Sequence, residues 1–249
     1  MWAMVLCAGR GDRMRPLTHF TPKPLLTVAG EPLLQRHLLA IASAGISDVM
    51  INVHHLGQQI QSFVGDGRRF GLRVAYCVES QLLETAGGIA NALMNREGAN
   101  GSDDVAEPFL VVSGDVYSEM DLSLVVSAAH REMNDFDPSL LGSLVMVPNP
   151  PHHPNGDFGL DPDNRLTMAG ERLTYGGVGV FSPAFFADAP VRPSPLRNLL
   201  FPAIRDRQLA GALYRGVWED VGVPDRLRRL SDDIYKQRRR AKINAARTP

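Results

Sequence analysis

The chain has 249 residues, of which 44% are hydrophobic and 21% are charged, so it can bury a substantial core and is too short for a multidomain array. Its 26 basic and 27 acidic residues give a formal charge of −1, which excludes a general electrostatic attraction to nucleic acid or to an anionic membrane. No apolar run approaches the roughly 20 residues that a membrane span needs.

Short apolar runs alternate along the first half of the chain with segments of helical spacing. Four runs have the length and composition of buried strands: residues 3–8, 49–53, 74–78 and 109–112. The segment after each run repeats its apolar residues every three or four positions, which is the βαβ pattern of a largely parallel sheet. Cys7 and Cys77 lie in these runs, and we expect them to be buried free thiols. The sequence therefore predicts an α/β fold.

The first helix has the clearest boundaries in the sequence. Pro32 stands at its start, where a missing N–H does no harm, and Gly45 follows its end as a C-terminal cap. Its apolar stripe consists of Leu33, Leu34, Leu38 and Ile41. The same spacing predicts helices over residues 56–64 and 122–129.

The pattern changes near residue 140. Strands are predicted at residues 143–147 and 174–181, and the segment between them, 148–162, is dense in proline, glycine and histidine and predicts a long ordered loop. A second polar and glycine-rich stretch, residues 94–108, predicts a mobile surface loop with no assigned role.

These changes predict one domain over residues 1–224, made of halves 1–140 and 141–224, and a basic C-terminal helix or tail over 225–249. The tail has nine basic and three acidic residues, and a solvated helix is a more frequent reason for such a composition than a nucleic-acid site. The apolar stretch at residues 1–8 is too short for a signal peptide. We expect a cytoplasmic monomer or weak homo-oligomer with neither nucleic acid nor membrane as partner.

Glycine and basic residues crowd the loop after the first strand, at residues 9–15, and Lys23 follows shortly after. Two glycines allow a ligand to approach the backbone, and the cations suit a polyphosphate. The alternative is a solvated turn. The loop matches neither common nucleotide motif, because Met14 stands where a dinucleotide fingerprint needs glycine and the chain has no P-loop sequence.

Two aspartates stand where a metal ion could bind. Asp115 comes just after the strand at 109–112, and Asp220 lies in Trp218-Glu219-Asp220-Val221-Gly222. Two carboxylates together with substrate phosphates are a usual set of Mg²⁺ ligands, although a single aspartate in such a position more often caps a turn or a helix. His152 and His153 suggest zinc, but adjacent histidines point to opposite sides of an extended chain, and we interpret them as loop supports.

The order of these motifs resembles the sugar-1-phosphate nucleotidylyltransferases. The resemblance rests on Leu6-x-Ala8-Gly9-x-Gly11-x-Arg13-Met14, Pro22-Lys23-Pro24-Leu25, Ser113-Gly114-Asp115 and Trp218-x-Asp220-x-Gly222, and it spans about residues 3 to 222. It implies a Rossmann-like, mixed and mostly parallel sheet, with a nucleotide-binding half and a smaller, more antiparallel sugar-binding half.

The resemblance also implies roles for individual residues. The uracil and ribose would contact Ala8, Gly9, Glu79, Glu84, Thr85, Gly87 and Gly88. The triphosphate would lie along Gly11, Asp12 and Arg13. The sugar would contact Ser113, Asp157, Tyr175 and Gly177. Mg²⁺ would bind Asp115 and Asp220, and Arg13 and Lys23 would be catalytic; Glu84 could instead be a solvated loop carboxylate.

Within this family, the middle of the chain is most similar to members that transfer uridylyl from UTP to N-acetylmuramic acid 1-phosphate in cell-wall recycling. The matching segments are Leu83-Glu84-Thr85-x-Gly87-Gly88 and Asn149-Pro150-x-His152-His153. Ser113 departs from the asparagine of this subgroup. The implied partners are UTP and a sugar 1-phosphate.

Three alternatives remain at the level of the sequence. The first is a glucose- or mannose-1-phosphate nucleotidylyltransferase that uses dTTP, UTP or GTP. The second is an inactive regulatory protein that binds nucleotide sugars, which would be expected to have lost Arg13, Lys23 or an aspartate. The third is an NAD-dependent oxidoreductase, which would need an acidic residue at the end of the second strand, where the chain has Asn52-Val53-His54.

Overall fold

The computed structural model describes residues 1–100 and 107–245. Its strands are β1 (Ala3–Leu6), β2 (Thr27–Val28), β3 (Glu31–Pro32), β4 (Asp48–Val53), β5 (Arg73–Val78), β6 (Phe109–Ser113), β7 (Val116–Ser118), β8 (Gly142–Val147), β9 (Phe158–Leu160), β10 (Leu166–Thr167), β11 (Arg172–Phe181), β12 (Leu209–Leu213) and β13 (Trp218–Asp220). Its α-helices are α1 (Leu33–Ser43), α2 (Gly57–Val64), α3 (Glu84–Asn100), α4 (Leu122–His130), α5 (Arg197–Arg205) and α6 (Pro224–Ala245).

A mixed sheet, nine-stranded within the described residues, forms the centre of the molecule. Its order is β10-β9-β11-β6-β1-β4-β5, and β8 pairs with β11 and β12. Strands β6, β1, β4 and β5 are parallel, whereas β11 runs antiparallel to β6, β8 and β9. The predicted α/β fold with a mostly parallel sheet is confirmed. Because β1 lies between β4 and β6, the carboxyl ends of these strands meet at one edge.

Strand β1 is buried on both faces of the sheet. Trp2 and Met4 lie in the core formed with α3 and α5, whereas Ala3 and Val5 lie in the core formed with α1, α2 and α4. Since side chains alternate along a strand, a run that is apolar at every position needs helices on both sides. The continuous apolar run in the sequence therefore marks the centre of a three-layer molecule.

A third apolar cluster joins the segment after β1 to the end of the chain. It contains Met14, Leu33 and Tyr117 together with Val221 and Ile234. Strands β7 and β13 pair antiparallel beside it, and α6 packs against β2. This cluster holds four segments that are distant in sequence against one another at the carboxyl edge of the sheet.

The predicted strands and the helices over 33–41, 56–64 and 122–129 are confirmed. The predicted loop over residues 94–108 is wrong in its first part, because α3 continues to Asn100. Asn95 Nδ2 donates to the carbonyl oxygen of Asn91 at 2.7 Å, so an amide side chain that often favours loops instead bonds within the helix. The rest of that predicted loop, residues 101–106, lies outside the described residues.

The basic tail is a helix that packs on the rest of the molecule. In α6, Arg226 and Ile234 are 7% and 3% exposed, and Arg238 Nη2 lies 3.3 Å from Glu31 Oε2. The expectation of a solvated helix therefore fails for the face that carries these residues. Residues 246–249 of the tail, including Arg247, lie outside the described part of the chain.

The sequence predicted buried free thiols and no membrane-spanning segment. Cys7 and Cys77 are free and buried, as predicted. Among the helices of residues 1–100 and 107–245, none has the length and apolar character that would be needed to cross a bilayer.

His37 is a buried histidine that links α1 to β7. Its Nε2–H donates to the carbonyl oxygen of Val116 at 2.9 Å, one residue after Asp115. Burial lowers the pKa of His37 from 6.5 to about 4. Between these two values the unfolded chain binds a proton at His37 that the folded chain does not bind, so the free energy of unfolding decreases as the pH falls through this window.

We predict that His37→Gln, which keeps a donor without titrating, flattens the loss of stability between pH 6.5 and 4. The expected difference from the unmodified protein across this window is up to about 3 kcal/mol, measured by urea denaturation at several pH values. The matched control is His130→Gln, since His130 is exposed at the end of α4. If the free energy of unfolding depends on pH equally in His37→Gln and in the unmodified protein, His37 is not the group responsible for the loss of stability.

Candidate active site

A cleft of about 680 Å³ opens at the carboxyl edge of the sheet, beyond the ends of β1 and β6. Most residues that the sequence predicted for nucleotide, phosphate or metal line it, together with Ser113 of the predicted sugar contacts: Ala8, Gly9, Gly11, Asp12, Arg13, Lys23, Glu84, Thr85 and Asp115. Open α/β sheets bind their ligands at this edge. The cleft is therefore the candidate active site.

The glycine-rich loop is curled against Thr18. Gly11 has φ +64°, and a Cβ at this position would lie 2.8 Å from Thr18 Cγ2 and 3.3 Å from Lys23 Cβ. Thr18 Oγ1 donates to the carbonyl oxygen of Gly11 at 2.9 Å. Both the left-handed backbone and the close packing require glycine here. A side chain at Gly9 would meet no atom within 4 Å, so its absence leaves room in the cleft.

Lys23 and Asp115 form an ion pair inside the cleft. Lys23 Nζ lies 2.6 Å from Asp115 Oδ2, and the two side chains are 9% and 45% exposed. A buried ammonium group needs a charged or polar partner, and Asp115 supplies it. The pair joins the short turn Lys23–Leu25 to the end of β6 and presents one cation and one carboxylate to the same space.

Asp220 is brought near Asp115 by the pairing of β13 with β7, but its side chain bonds to other groups. The Val221 N–H donates to the Asp115 carbonyl oxygen at 3.3 Å, because β13 pairs with β7. Asp220 Oδ1 contacts His152 Nε2 at 2.9 Å and also the guanidinium of Arg226. Asp220 itself is not among the residues that line the cleft, whereas Gly222, two positions later, is.

His152 lies between Arg226 and Asp220. Burial, reinforced by the charge of Arg226, lowers the pKa of His152. Arg226 Nη1 lies 2.5 Å from His152 Nε2 and 3.1 Å from Nδ1, and the same Nε2 lies 2.9 Å from Asp220 Oδ1. The prediction that His152 and His153 support their loop did not anticipate the bond from His152 to Asp220.

Glu79 bonds within the protein through both of its carboxylate oxygens. Oε1 accepts from Asn52 Nδ2 at 2.7 Å and Oε2 accepts from the Leu83 N–H at 2.9 Å, in a side chain that is 4% exposed. Asn52 Oδ1 in turn accepts from the Cys7 N–H at 2.9 Å. This network ties the start of the glycine-rich loop to the segment before α3. Asn52 lines the cleft and Glu79 does not.

The sequence analysis did not assign Asn52 to the site, although one signal for it was present. Asn52 is an amide in the strand β4, whose other residues from Val49 to Val53 are apolar. A buried polar side chain inside an apolar strand needs hydrogen-bond partners, and such residues are often found at functional edges.

The start of α3 brings Glu84 and Thr85 to the cleft. Glu84 has φ +56°, an uncommon backbone conformation for a residue with a side chain, and such strain concentrates at ligand sites. Gly87 and Gly88 lie one turn further and do not line the cleft. A Cβ at Gly87 would lie 2.1 Å from the Arg192 carbonyl oxygen, so the structure gives this glycine a packing role.

The predicted sugar contacts lie along β11 and the loop before β9. Asp157 accepts from the Tyr175 N–H at 2.8 Å and from His153 Nε2 at 3.1 Å. Gly177 has φ +74° in a bulge of β11, and a Cβ there would lie 3.0 Å from Ser113 Oγ. Of this group, Ser113 at the end of β6 lines the cleft, whereas Asp157, Tyr175 and Gly177 do not.

Several apolar residues of the cleft have no signal in the sequence. They include Leu82, Pro195 and Leu196. Pro195 and Leu196 follow Ser194, whose backbone bonds to the start of α3. The Ser194 carbonyl oxygen accepts from the Ala86 N–H at 3.0 Å, and the Ser194 N–H donates to the Leu83 carbonyl oxygen at 3.0 Å. These bonds place the segment before α5 over the start of α3.

The sequence of the chain is similar to those of known nucleotidyl transferases. Residues 2–161 match the model of a family described as nucleotidyl transferase. The chain is 41% identical over 233 residues to the N-acetylmuramate alpha-1-phosphate uridylyltransferase of Neisseria meningitidis serogroup B, covering 92% of this chain and 96% of that protein. It is 32% identical to the mannose-1-phosphate guanylyltransferase of Mycobacterium tuberculosis, covering 94% of this chain and 64% of that protein.

A solved structure shares the fold. The HddC protein from Yersinia pseudotuberculosis superposes with a TM-score of 0.72 at 18% identity, covering 94% of this chain and all of that one (100%). At this identity the likeness is informative about the fold alone. The family model and the two relatives extend over most of the chain, and the chain therefore belongs to the nucleotidyl transferase family.

Proposed function

We propose that the protein transfers a uridylyl group from UTP to N-acetylmuramic acid 1-phosphate, giving a UDP-sugar and pyrophosphate. The observation that carries the proposal is the Lys23–Asp115 pair in a cleft that the glycine-rich loop also lines. Similarity to the Neisseria meningitidis enzyme supports the choice of substrates. Such a reaction would serve cell-wall recycling in the cytoplasm.

The cleft suggests an arrangement of the two substrates. The uracil and ribose would lie against Ala8 and Gly9 and against the start of α3 at Glu84, and the triphosphate would follow Gly11 to Arg13. The sugar phosphate would enter from the side of Ser113. In this arrangement residues 1–140 bind the nucleotide and residues 141–224 complete the sugar site, with Asp157, Tyr175 and Gly177 acting as supports for its wall.

The reaction needs no general base. An anionic oxygen of the sugar phosphate attacks the α-phosphorus of UTP, and the bond from that phosphorus to the bridging oxygen breaks, so that pyrophosphate leaves with the electron pair. The main obstacle is the approach of two anions. Lys23 would hold the α-phosphoryl group and the sugar phosphate in line, and Arg13 would stabilise charge on the departing pyrophosphate.

The donor set fits Mg²⁺. Asp115 Oδ1 and Asp220 Oδ2 have no hydrogen bond or ion pair to another of the described residues, whereas the second oxygen of each carboxylate is already bonded. Carboxylate oxygens are the ligands that this hard cation takes from proteins. Bound between these aspartates, Mg²⁺ would neutralise phosphate charge.

We predict that Lys23→Ala lowers kcat about 10²- to 10³-fold, because its contact strengthens as charge develops on the transferring phosphoryl group. Steady-state release of pyrophosphate measures the change, and Lys236→Ala serves as the control, since Lys236 is exposed on α6. A change confined to KM would show that Lys23 only binds substrate.

We predict that Arg13→Lys does not restore the activity lost in Arg13→Ala. A planar guanidinium can donate to two phosphate oxygens at once, and an ammonium group cannot reproduce that geometry. The measurement is kcat/KM for UTP in both variants, with Arg68→Lys as the control, because Arg68 is 88% exposed and lies away from the cleft. Near-normal kcat/KM in Arg13→Lys would contradict the prediction that Arg13 must donate to two phosphate oxygens at once.

We predict the nucleotide order UTP, then dTTP with measurable turnover, then GTP and ATP near background. Thymine has the same hydrogen-bonding edge as uracil and differs by one methyl group, which is worth about 1–3 kcal/mol of discrimination. Guanine and adenine would leave buried polar groups unpaired. The test is a panel of these nucleotides against the 1-phosphates of N-acetylmuramic acid, glucose and mannose. A preference for GTP with mannose 1-phosphate would replace the proposal by a guanylyltransferase.

A further inference from the structure

Two residues outside the cleft, His152 and Arg226, contact the same oxygen of Asp220. His152 Nε2 lies 2.9 Å from Oδ1, and the guanidinium of Arg226 contacts the same oxygen. Arg226 Nη1 also contacts the His152 ring, so the three side chains form a closed triangle. The second oxygen, Oδ2, has no bond to any of the described residues, and the carboxylate is thus held by one end only.

The chain makes room for Arg226 at this point. Arg226 is 7% exposed, although arginine is rarely buried without a charged partner. A Cβ at Gly222 would lie 2.3 Å from Arg226 Nη2 and 3.1 Å from Arg226 Cζ. A side chain at position 222 would therefore displace the guanidinium from its place beside the carboxylate.

Among residues 1–100 and 107–245, His152, Glu219 and Asp220 have the spacing of a metal site, since ligand atoms of the three lie within 4.8 Å of one another. The guanidinium of Arg226 contacts two of these three residues. Its permanent positive charge disfavours a second cation inside the triangle. The group is better suited to orient Asp220 than to bind a metal ion itself.

We propose that His152 and Arg226 are positioning residues that fix the Asp220 carboxylate with Oδ2 free for the divalent cation of the reaction. The inference rests on the proposed function. Partners that bond to the far side of a metal ligand restrict its rotation, and their loss typically weakens metal binding by 10- to 100-fold. His152 belongs to the loop before β9 and Arg226 to α6, so two elements outside the nucleotide-binding half set the geometry of one metal ligand.

The experiment measures Mn²⁺ binding directly. Free Mn²⁺ is followed by electron paramagnetic resonance in a titration of the full chain with UTP and without sugar phosphate, so that no turnover occurs. The variants are Asp220→Asn, Arg226→Met, His152→Leu and His152→Gln. The control is Arg228→Met, because Arg228 is 72% exposed on the same helix and pairs with Asp225. UTP without protein gives the background, and thermal melting checks that each variant is folded.

We expect the dissociation constant of Mn²⁺ to rise about tenfold or more in Arg226→Met and His152→Leu. In His152→Gln, whose amide can still donate to Asp220, we expect a rise of less than about threefold. If His152 only supported its loop, we would expect His152→Gln and His152→Leu to have similar dissociation constants for Mn²⁺. Comparison of these two variants therefore tests positioning even if Arg226→Met fails to fold.

The outcomes separate this inference from the proposed function. If Asp220→Asn leaves Mn²⁺ binding unchanged, the metal assignment in the proposed function fails. If Asp220→Asn weakens binding while the folded Arg226 and His152 variants bind as the unmodified protein does, positioning alone is overturned. If Arg226→Met raises KM for UTP without changing Mn²⁺ binding, Arg226 is a phosphate contact and the inference is again wrong.

Discussion

The ion pair between Lys23 and Asp115 connects the two segments on which the cleft depends. Lys23 follows the glycine-rich loop and Asp115 follows β6, 92 positions later, yet their charged atoms lie 2.6 Å apart. An ammonium group as buried as that of Lys23 would be costly without a partner. Strands β1 and β6 are adjacent and parallel, and this adjacency brings the loop after β1 and the carboxylate after β6 to one edge of the sheet, where the pair forms.

Around this pair, several residues that resemble ligand contacts serve the protein itself. Glu79 gives both oxygens to Asn52 and Leu83, and Asp157 gives both to Tyr175 and His153. A carboxylate whose oxygens already accept strong bonds is a rigid support. These residues hold backbone segments in place, whereas Lys23, Asp115 and Glu84 are among the residues that line the cleft.

The C-terminal helix α6 also packs against the segments near the cleft. Ile234 packs in the cluster with Met14 and Tyr117, and Arg226 reaches Asp220. A helix with nine basic residues in and after it would be expected to remain in solvent on composition alone. Its apolar stripe and its one buried arginine decide otherwise, because burying Ile234 and pairing Arg226 require contact with the body of the molecule.

The sequence by itself determined the fold class and the edge at which the cleft opens, because strand periodicity, the apolar run around Val5 and the position of Asp115 after its strand are local signals. It also indicated the glycine-rich loop, since two glycines and several cations directly follow the first strand. The tertiary structure decided that Asn52 lines the cleft, that Gly11 packs against Thr18, and that Arg226 and His152 contact Asp220. Arg226 and His152 are 74 positions apart. No local pattern encodes such a contact, because it exists only once distant elements have packed and their buried polar groups have found partners.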